Sequence, residues 1–177
     1  TSNTDLDLSG ANTKISSRGG ADGGNGGFLY LSSNGTLTVS GSNLDVSTAA
    51  ANGNGGSMYL SSGLDAGSAS GALIVSGNLN ANGTGNGNGG TIEITVLNTQ
   101  TQSDFSVQNN SAFTLSANSG LDGGNGGTIN INAGGNLTVD GNALSVAARG
   151  KDGDGGTISL NAGATGSNQI GNGNQVL

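Results

Sequence analysis

Residues 122–160 read DGGNGGTININAGGNLTVDGNALSVAARGKDGDGGTISL, and this stretch decides the fold. A glycine run followed by Thr-Ile-x-aliphatic occurs twice in it, beginning at Thr128 and at Thr157, 29 residues apart. The residues between the two copies alternate apolar and polar side chains in short stretches separated by Gly, Asn and Asp. Self-similarity at a period of about 20 to 50 residues is typical of solenoid proteins.

The same glycine run recurs along the whole chain, and its last glycine lies at Gly27, Gly56, Gly90, Gly127 and Gly156. The spacings between these glycines are 29, 34, 37 and 29 residues. An alternating quartet follows each run: FLYL (28–31), SMYL (57–60), TIEI (91–94), TINI (128–131) and TISL (157–160). Because successive side chains of a strand point to opposite faces, the second and fourth residues of each quartet share one face. These residues are all aliphatic or Met, so the pattern predicts an apolar stripe.

Two further strands are predicted in each repeat. The second strand comprises DLDL (5–8), TLTV (36–39), ALIV (72–75) and NLTV (136–139). The third comprises TKIS (13–16), NLDV (43–46), NLNA (78–81), AFTL (112–115) and ALSV (143–146). The extra residues of the two longer repeats are assigned to loops, in SSGLDAGSAS (61–70) and VLNTQTQSDFSVQ (96–108). We therefore predict an all-β fold, a parallel β-helix of about six coils with three short strands each, as a single domain over residues 1–177.

A column of polar residues is predicted at the glycine-rich corner. Two residues before the last glycine of each run stand Asn25, Asn54, Asn88, Asn125 and Asp154. Stacked coils bring such residues together, and Asn side chains can then form hydrogen bonds along the stack. Asn and Gly also tolerate the positive φ values that a sharp corner demands.

Composition narrows the classes of function. The chain has 4 basic and 11 acidic residues, a net charge of −7, and no His or Cys. Nucleic-acid binding is not expected, because phosphate contacts need clustered Lys and Arg. Membrane insertion is not expected either, because no apolar run approaches the length of a membrane span. High Gly, Asn and Ser content alone would suit disorder, but the regular repeat argues against it.

Residues 126–163, GGTININAGGNLTVDGNALSVAARGKDGDGGTISLNAG, resemble the repeats of filamentous-haemagglutinin-like proteins. Those proteins are large bacterial adhesins exported by two-partner secretion, and similar repeats occur in autotransporter passengers and other bacterial surface proteins. The resemblance covers nearly the whole chain and rests on the repeat rather than on a functional motif. It implies a right-handed β-helix and an extracellular location at the bacterial cell surface. The amino-terminal secretion cap of that family is not recognisable in this sequence.

Few residues are candidates for chemistry. Ser-His and Cys-His nucleophiles and His or Cys zinc sites are excluded by composition. Asp5 with Asp7, and Asp152 with Asp154, have the i, i+2 spacing that places two carboxylates on one strand face, as glycosidases require. Neither pair has an accompanying basic cluster or aromatic subsite, so both are interpreted as solvated acids. We predict no enzymatic activity, no catalytic residue and no cofactor.

Calcium is the one metal that the sequence leaves open. The segments GADGGNGGFLYL and KDGDGGTISL partly match a calcium-binding nonapeptide, although that motif recurs every nine residues. The candidate ligands are the loop acids Asp22, Asp122, Asp152 and Asp154. Backbone carbonyls of the corner could supply the remaining oxygens of the six to eight that Ca²⁺ takes.

One outward column carries aromatic residues. Tyr30 and Tyr59 should align on neighbouring coils, and Thr91, Thr128 and Thr157 should align one step away. The tyrosines are a possible surface contact for a sugar or a protein, or they cover their own sheet. The tyrosine column continues irregularly as Glu93, Asn130 and Ser159, which argues against an ice-binding face.

The functional expectation is a non-enzymatic structural segment of an extracellular bacterial adhesin or surface fibre. Its expected partners are a second copy stacked end to end or the continuation of a longer chain, with a host or matrix glycan or protein as a possible ligand. The alternative is a β-helix that binds or processes a polysaccharide. A solenoid normally covers its terminal coils. No such cover is recognisable beyond the apolar residues of DLDL near the start or of NQIGNGNQVL at the end, so we expect the stack to continue.

Overall fold

A computed structural model describes residues 4–8, 14–40, 43–63, 73–76, 78–96, 105–107, 114–134, 137–139, 144–150, 152–162 and 168–170. These residues contain sixteen β-strands and no helix. All pairings between the strands are parallel. No helix of the described residues is long and apolar enough to cross a membrane. The predicted all-β parallel solenoid is therefore confirmed.

Each coil consists of three strands, and the coils follow one another in chain order. The first is β1 (Leu6–Asp7), β2 (Lys14–Ser16) and β3 (Phe28–Ser32), and the second is β4 (Leu37–Ser40), β5 (Asn43–Asp45) and β6 (Ser57–Ser62). The third is β7 (Leu73–Ser76), β8 (Leu79–Asn80) and β9 (Thr91–Val96), and the fourth is β10 (Phe105–Val107), β11 (Leu115–Ser116) and β12 (Thr128–Ala133). The fifth is β13 (Leu137–Val139), β14 (Leu144–Ser145) and β15 (Thr157–Asn161), after which β16 (Asn168–Ile170) begins a sixth.

Apart from β7 and β10, each described strand pairs with the equivalent strand of the next coil, three strands further along the chain, so the stack has three faces. Sheet A contains the strands that follow the glycine runs, in the order β3-β6-β9-β12-β15. Sheet C runs β2-β5-β8-β11-β14 in the same way. Sheet B is divided into β1-β4-β7 and β10-β13-β16. The division of sheet B lies between the third and fourth coils, where the two longer repeats meet.

The number of coils in the described residues differs slightly from the expectation. The described strands form five complete coils and the first strand of a sixth, where about six were expected. The expectation used the shortest period, 29 residues, whereas two of the four spacings are 34 and 37 residues. Residues in the longer connections lengthen a repeat without forming another coil.

Three strand assignments were also wrong in detail. TKIS (13–16) is displaced by one residue from its assumed alignment, because Ile15 rather than Lys14 pairs with Leu44. Residues 105–107, placed in a loop from the sequence, form β10, in which Phe105 pairs with Leu137. In the third strand of the fourth coil, Leu115 pairs with Leu79 and Leu144, so AFTL (112–115) is displaced by two residues from its assumed alignment. A shift of two residues keeps the same side chains on the same face, and the alternation therefore cannot detect it. Residues 64–72 of the other long repeat lie outside the described residues, as do residues 112 and 113.

The core is a set of apolar columns inside the stack. Ile129 pairs in register with Ile92 and Ile158, and Ile129 and Ile92 are fully buried. Their neighbours Thr128 and Asn130 are half-buried on the outer side of sheet A, so the predicted inward register is confirmed. The other fully buried large side chains are Leu37, Leu44, Met58, Leu60, Leu79, Ile94, Leu115, Ile131 and Leu137. Each such side chain contributes about 1.5 to 3 kcal/mol of transfer free energy.

Candidate functional sites

The predicted corner column exists, and its members are joined by a two-point contact that we call the corner clamp. The Oδ1 atom of Asn25 accepts a hydrogen bond from the backbone N–H of Asn54, at 2.9 Å. The N–H of the following glycine, Gly26, donates to the backbone carbonyl of the same Asn54, at 2.8 Å. One Asn-Gly pair therefore satisfies both backbone groups of the equivalent residue on the next coil.

The corner clamp repeats through all five members of the column. Asn54 holds Asn88, Asn88 holds Asn125, and Asn125 holds Asp154. The side-chain bonds are 2.8, 2.7 and 2.9 Å long. The matching glycine bonds are 2.9, 2.8 and 2.9 Å long. Sequence reasoning expected the Asn side chains to form hydrogen bonds along the stack, and in this column each Asn oxygen accepts from a backbone amide of the next coil. The residue that is held contributes only its backbone to the clamp, so an Asp in the fifth position can be held as readily as an Asn.

Both glycines after the Asn are required by the closeness of the coils. A Cβ on Gly55 would lie 2.0 Å from the carbonyl oxygen of Ala81 on the next coil. A Cβ on Gly56 would lie 2.1 Å from the carbonyl oxygen of Gly27 on the preceding coil. Gly56 also closes its own coil, because its N–H donates to the carbonyl of Val46 at 2.8 Å. The close approach of neighbouring coils thus explains why the Asn of this corner is followed by two glycines.

A second asparagine column, which sequence reasoning missed, lies just after the strands of sheet C. Asn82 Oδ1 accepts from the N–H of Asn118 at 2.8 Å, and Gly83 N–H donates to the Asn118 carbonyl at 2.8 Å, which is the same clamp. Asn118 is 1% exposed, and its Oδ1 accepts from the Ala147 N–H and the Ser145 hydroxyl, both at 2.7 Å. Asn82 and Asn118 each lie three residues after a paired leucine of the third strand, Leu79 and Leu115, and this shared spacing was the available signal.

The outer side of sheet A carries an aromatic cluster at its first two strands. Tyr30 pairs in register with Tyr59, as predicted. Phe28, which sequence reasoning did not include, lies with its ring centroid 5.3 Å from that of Tyr59, the planes inclined by 36°. Phe28 is 63% exposed and Tyr30 is 49% exposed. Three of the five aromatic residues of the chain therefore share one outward surface.

Polar columns continue from the aromatic cluster across sheet A. Thr91, Thr128 and Thr157 pair in one register, as expected. Glu93 follows Tyr59 on the next strand. Hydroxyl, amide and carboxylate groups therefore extend the aromatic surface along the stack.

The calcium candidates are distributed over different coils. Asp22 belongs to the first coil, Asp122 to the fourth, and Asp152 and Asp154 to the fifth; all four are exposed. Gly150 of the fifth coil lies directly over the Asp122–Gly123 junction, whose backbone N–H groups donate to Gly85 of the third coil. Within the described ranges, no three His, Cys, Asp or Glu residues are grouped so that they could hold a metal ion. A calcium site stays a prediction.

Of the two paired carboxylates in the first coil, Asp5 has a structural role. Asp5 Oδ1 accepts a hydrogen bond from the backbone N–H of Thr36 at 2.7 Å, which links the first coil to the second. A further link between these coils is the ion pair between Arg18 and Asp45, with Nε and Oδ2 3.3 Å apart. Asp5 and Asp7 are both exposed.

Comparison with known proteins gives no relative: no family model, no curated protein and no solved structure matches the chain. The resemblance to filamentous-haemagglutinin-like repeats stays a prediction, and so does the right-handed winding that it implies.

Proposed function

We propose that this chain is a structural segment of an extracellular bacterial adhesin or surface fibre, whose stack of coils continues end to end. The observation that carries the proposal is the interior of the fifth coil. Ile158 is 42% exposed, whereas Ile129, its counterpart on the fourth coil, is fully buried. An interior residue becomes fully buried only when a coil lies on each side of it, so a further coil on this side would remove apolar surface from water.

The corner supports the same proposal. Asp154 occupies the fifth position of the column, where its carboxylate corresponds to the clamp acceptor and the N–H of Gly155 to the clamp donor of the earlier coils. A Cβ on Gly155 would meet nothing within 4 Å, whereas one on Gly126 would lie 1.9 Å from Val146 on the next coil. The space and the polar groups for another clamped coil are therefore present at Gly155.

The location at the bacterial cell surface is supported by the resemblance of the repeats alone. The partner is a second copy of this chain or the continuation of a longer one. A stack in which each coil contacts only its neighbours can be extended by further coils, as a surface fibre requires.

Sedimentation velocity over a range of concentrations, with electron microscopy, tests the proposal. We expect concentration-dependent growth along one axis for the chain. Ile158→Lys should reduce this growth strongly, because it places a charge on the apolar surface to be buried. Thr157→Lys, which changes the exposed neighbour, is the matched control and should assemble normally. A compact monomer at every concentration, with Ile158 protected in hydrogen exchange as well as Ile129, would contradict end-to-end assembly.

The second candidate function is polysaccharide binding, and the aromatic cluster on sheet A favours it. Exposed aromatic rings stack on the apolar faces of sugars, and the neighbouring Thr, Ser and Glu93 side chains supply hydrogen bonds to hydroxyl groups. Glu93 and the net charge of −7 favour a neutral glycan over a sulfated or uronic one.

Affinity measurements against a panel of neutral and acidic polysaccharides test this candidate. Tyr30→Ala should weaken binding about fivefold, since stacking contributes about 1 kcal/mol per ring. Ser159→Ala, in the same column but four strands away, should have no effect. An assay for reducing ends or unsaturated products on the same panel separates binding from processing.

A further inference from the structure

We propose that the corner clamp determines where this protein deamidates: clamped Asn-Gly pairs are protected, and Asn34 and Asn86 are the modification sites. Asn-Gly is the dipeptide in which an asparagine most readily loses its amide, because glycine leaves its own backbone nitrogen unhindered. The chain contains nine such pairs, eight of them within the described residues. This inference does not depend on the proposed fibre function.

The reaction uses two groups, the glycine backbone nitrogen and the asparagine side chain, and each hydrogen bond that holds one of them slows it. The backbone nitrogen of the glycine attacks Cγ of the preceding asparagine and loses its proton, and the new N–Cγ bond forms as ammonia leaves. Water then opens the cyclic imide at either carbonyl, which gives Asp or the backbone-extended isoaspartate. One water is consumed and one ammonia is released, with no oxidant or cofactor. The asparagine side chain must rotate toward the glycine nitrogen for the first step.

Five pairs have both reacting groups held by the next coil. In each, Oδ1 accepts from a backbone N–H and the glycine N–H donates to the carbonyl of the same residue. The clamped asparagines are Asn25, Asn54, Asn82, Asn88 and Asn125. Attack on Cγ requires both bonds to break, so the reaction proceeds only from a locally opened coil.

Two pairs differ in the asparagine side chain. Asn34 and Asn86 make no side-chain hydrogen bond to another described residue, although their own glycines donate to Thr4 and Thr84, at 3.2 and 2.8 Å. Asn86 instead uses its backbone N–H to bind Oδ1 of Asn52, at 3.0 Å. The side chains of Asn34 and Asn86 can therefore rotate without opening the stack. Asn52 is intermediate, because the Gly53 N–H bond to Thr84 is long, at 3.4 Å.

Exposure to solvent does not separate the two groups. Asn86 is exposed and Asn34 is half-buried, while the corner-column residues are all exposed: Asn25, Asn54, Asn88 and Asn125. A model in which solvent access sets the rate therefore predicts fast reaction at the corner column and slower reaction at Asn34. The clamp predicts the reverse order, and the two explanations can be distinguished on one sample.

The consequence for the stack follows from the position of the two sites. Isoaspartate adds a methylene to the backbone, which would displace the glycine N–H from its partner in a corner clamp. At Asn34 and Asn86 it would displace the glycine N–H from Thr4 and Thr84 instead, and no side-chain hydrogen bond to another described residue would be lost. The protein can then accumulate modified residues over time while the clamps that join its coils stay intact.

Peptide mapping by mass spectrometry, after incubation of the chain in mildly alkaline buffer, tests the proposal. In the folded protein we expect Asn34 and Asn86 to convert at least about tenfold faster than the five clamped residues, given two hydrogen bonds per clamp. In urea, all of the Asn-Gly pairs should convert at similar rates. Equal rates at Asn86 and Asn125 in the folded chain would overturn the proposal.

A variant pair isolates the clamp itself. Asp154→Pro removes the N–H that Asn125 Oδ1 accepts, while Asp154→Ala keeps it. Asn125 should deamidate at the rate of Asn86 in the proline variant and stay protected in the alanine variant, with Asn25 and Asn54 unchanged in both. If the proline variant fails to fold, the comparison of folded and urea-denatured wild type still decides. Unchanged protection of Asn125 in a folded proline variant would contradict the mechanism.

Discussion

At the scale of the residue, neighbouring positions of one strand differ sharply in burial, because one faces the core and the next faces outward. Ile129 is fully buried between Ile92 and Ile158, while Thr128 on the same strand faces outward. Aromatic residues make up 3% of the chain, so the core depends on branched aliphatic side chains that repeat at the same place on every coil. The burial of each core side chain therefore depends on its two neighbours in the column.

Replacing Ile129 by Asp should destabilise the protein severely. The variant places a carboxylate without a partner in a fully buried column, which costs on the order of several kcal/mol. Thr128→Asp, one residue away on the outer side, should change the free energy of unfolding by about 0.5 kcal/mol or less. Thermal and urea denaturation of both variants is the measurement, and equal melting of Ile129→Asp and wild type would show that the inward register is wrong.

At the scale of the element, the corner is as important as the strands. Strands of sheet C are only two or three residues long, so their ladders contain few hydrogen bonds. Each corner clamp adds two hydrogen bonds between neighbouring coils, and the closing bond of Gly56 joins opposite walls of one coil. The glycine-rich segments thus continue the backbone ladder where regular strands have ended.

Asn88→Ala should lower the free energy of unfolding by about 1 kcal/mol, because the N–H of Asn125 loses its acceptor. Asn86→Ala is the matched control, since that side chain makes no hydrogen bond to another described residue. The control variant should unfold within about 0.5 kcal/mol of wild type. Urea denaturation at equilibrium measures both, and equal effects of the two variants would remove the energetic role of the clamp.

At the scale of the whole molecule, stability should depend on where a coil lies in the stack. Each coil contacts only its neighbours, as in other solenoids. The second to fourth coils contain the fully buried Met58, Ile92 and Ile129, whereas Ile158 of the fifth coil is 42% exposed. We therefore expect the middle of the rod to open last.

A pair of substitutions in one column measures this gradient. Ile129→Ala should cost about 3 kcal/mol, within the usual range for a buried Ile. Ile158→Ala, at the paired position on the next coil, should cost less than half as much, because much of its side chain is already in water. Denaturation at low protein concentration is required, because end-to-end assembly would bury Ile158. Equal costs under those conditions would mean that the fifth coil is covered in solution.

The repeated sequence by itself determined the parallel stack, the inward pairs of sheet A and the membership of the corner column. Parallel stacking makes this possible, because residues at equivalent places in the repeat lie one above another. Only the tertiary structure decided the two-residue shift at Leu115 and the strand at Phe105, since an alternation of period two reads the same after such a shift. It alone also decided that each Asn oxygen binds a backbone amide and that Asn118 is buried. Those contacts join residues that are 27 to 37 positions apart in the sequence. Which atoms pair depends on how closely the backbones of neighbouring coils approach at the glycines.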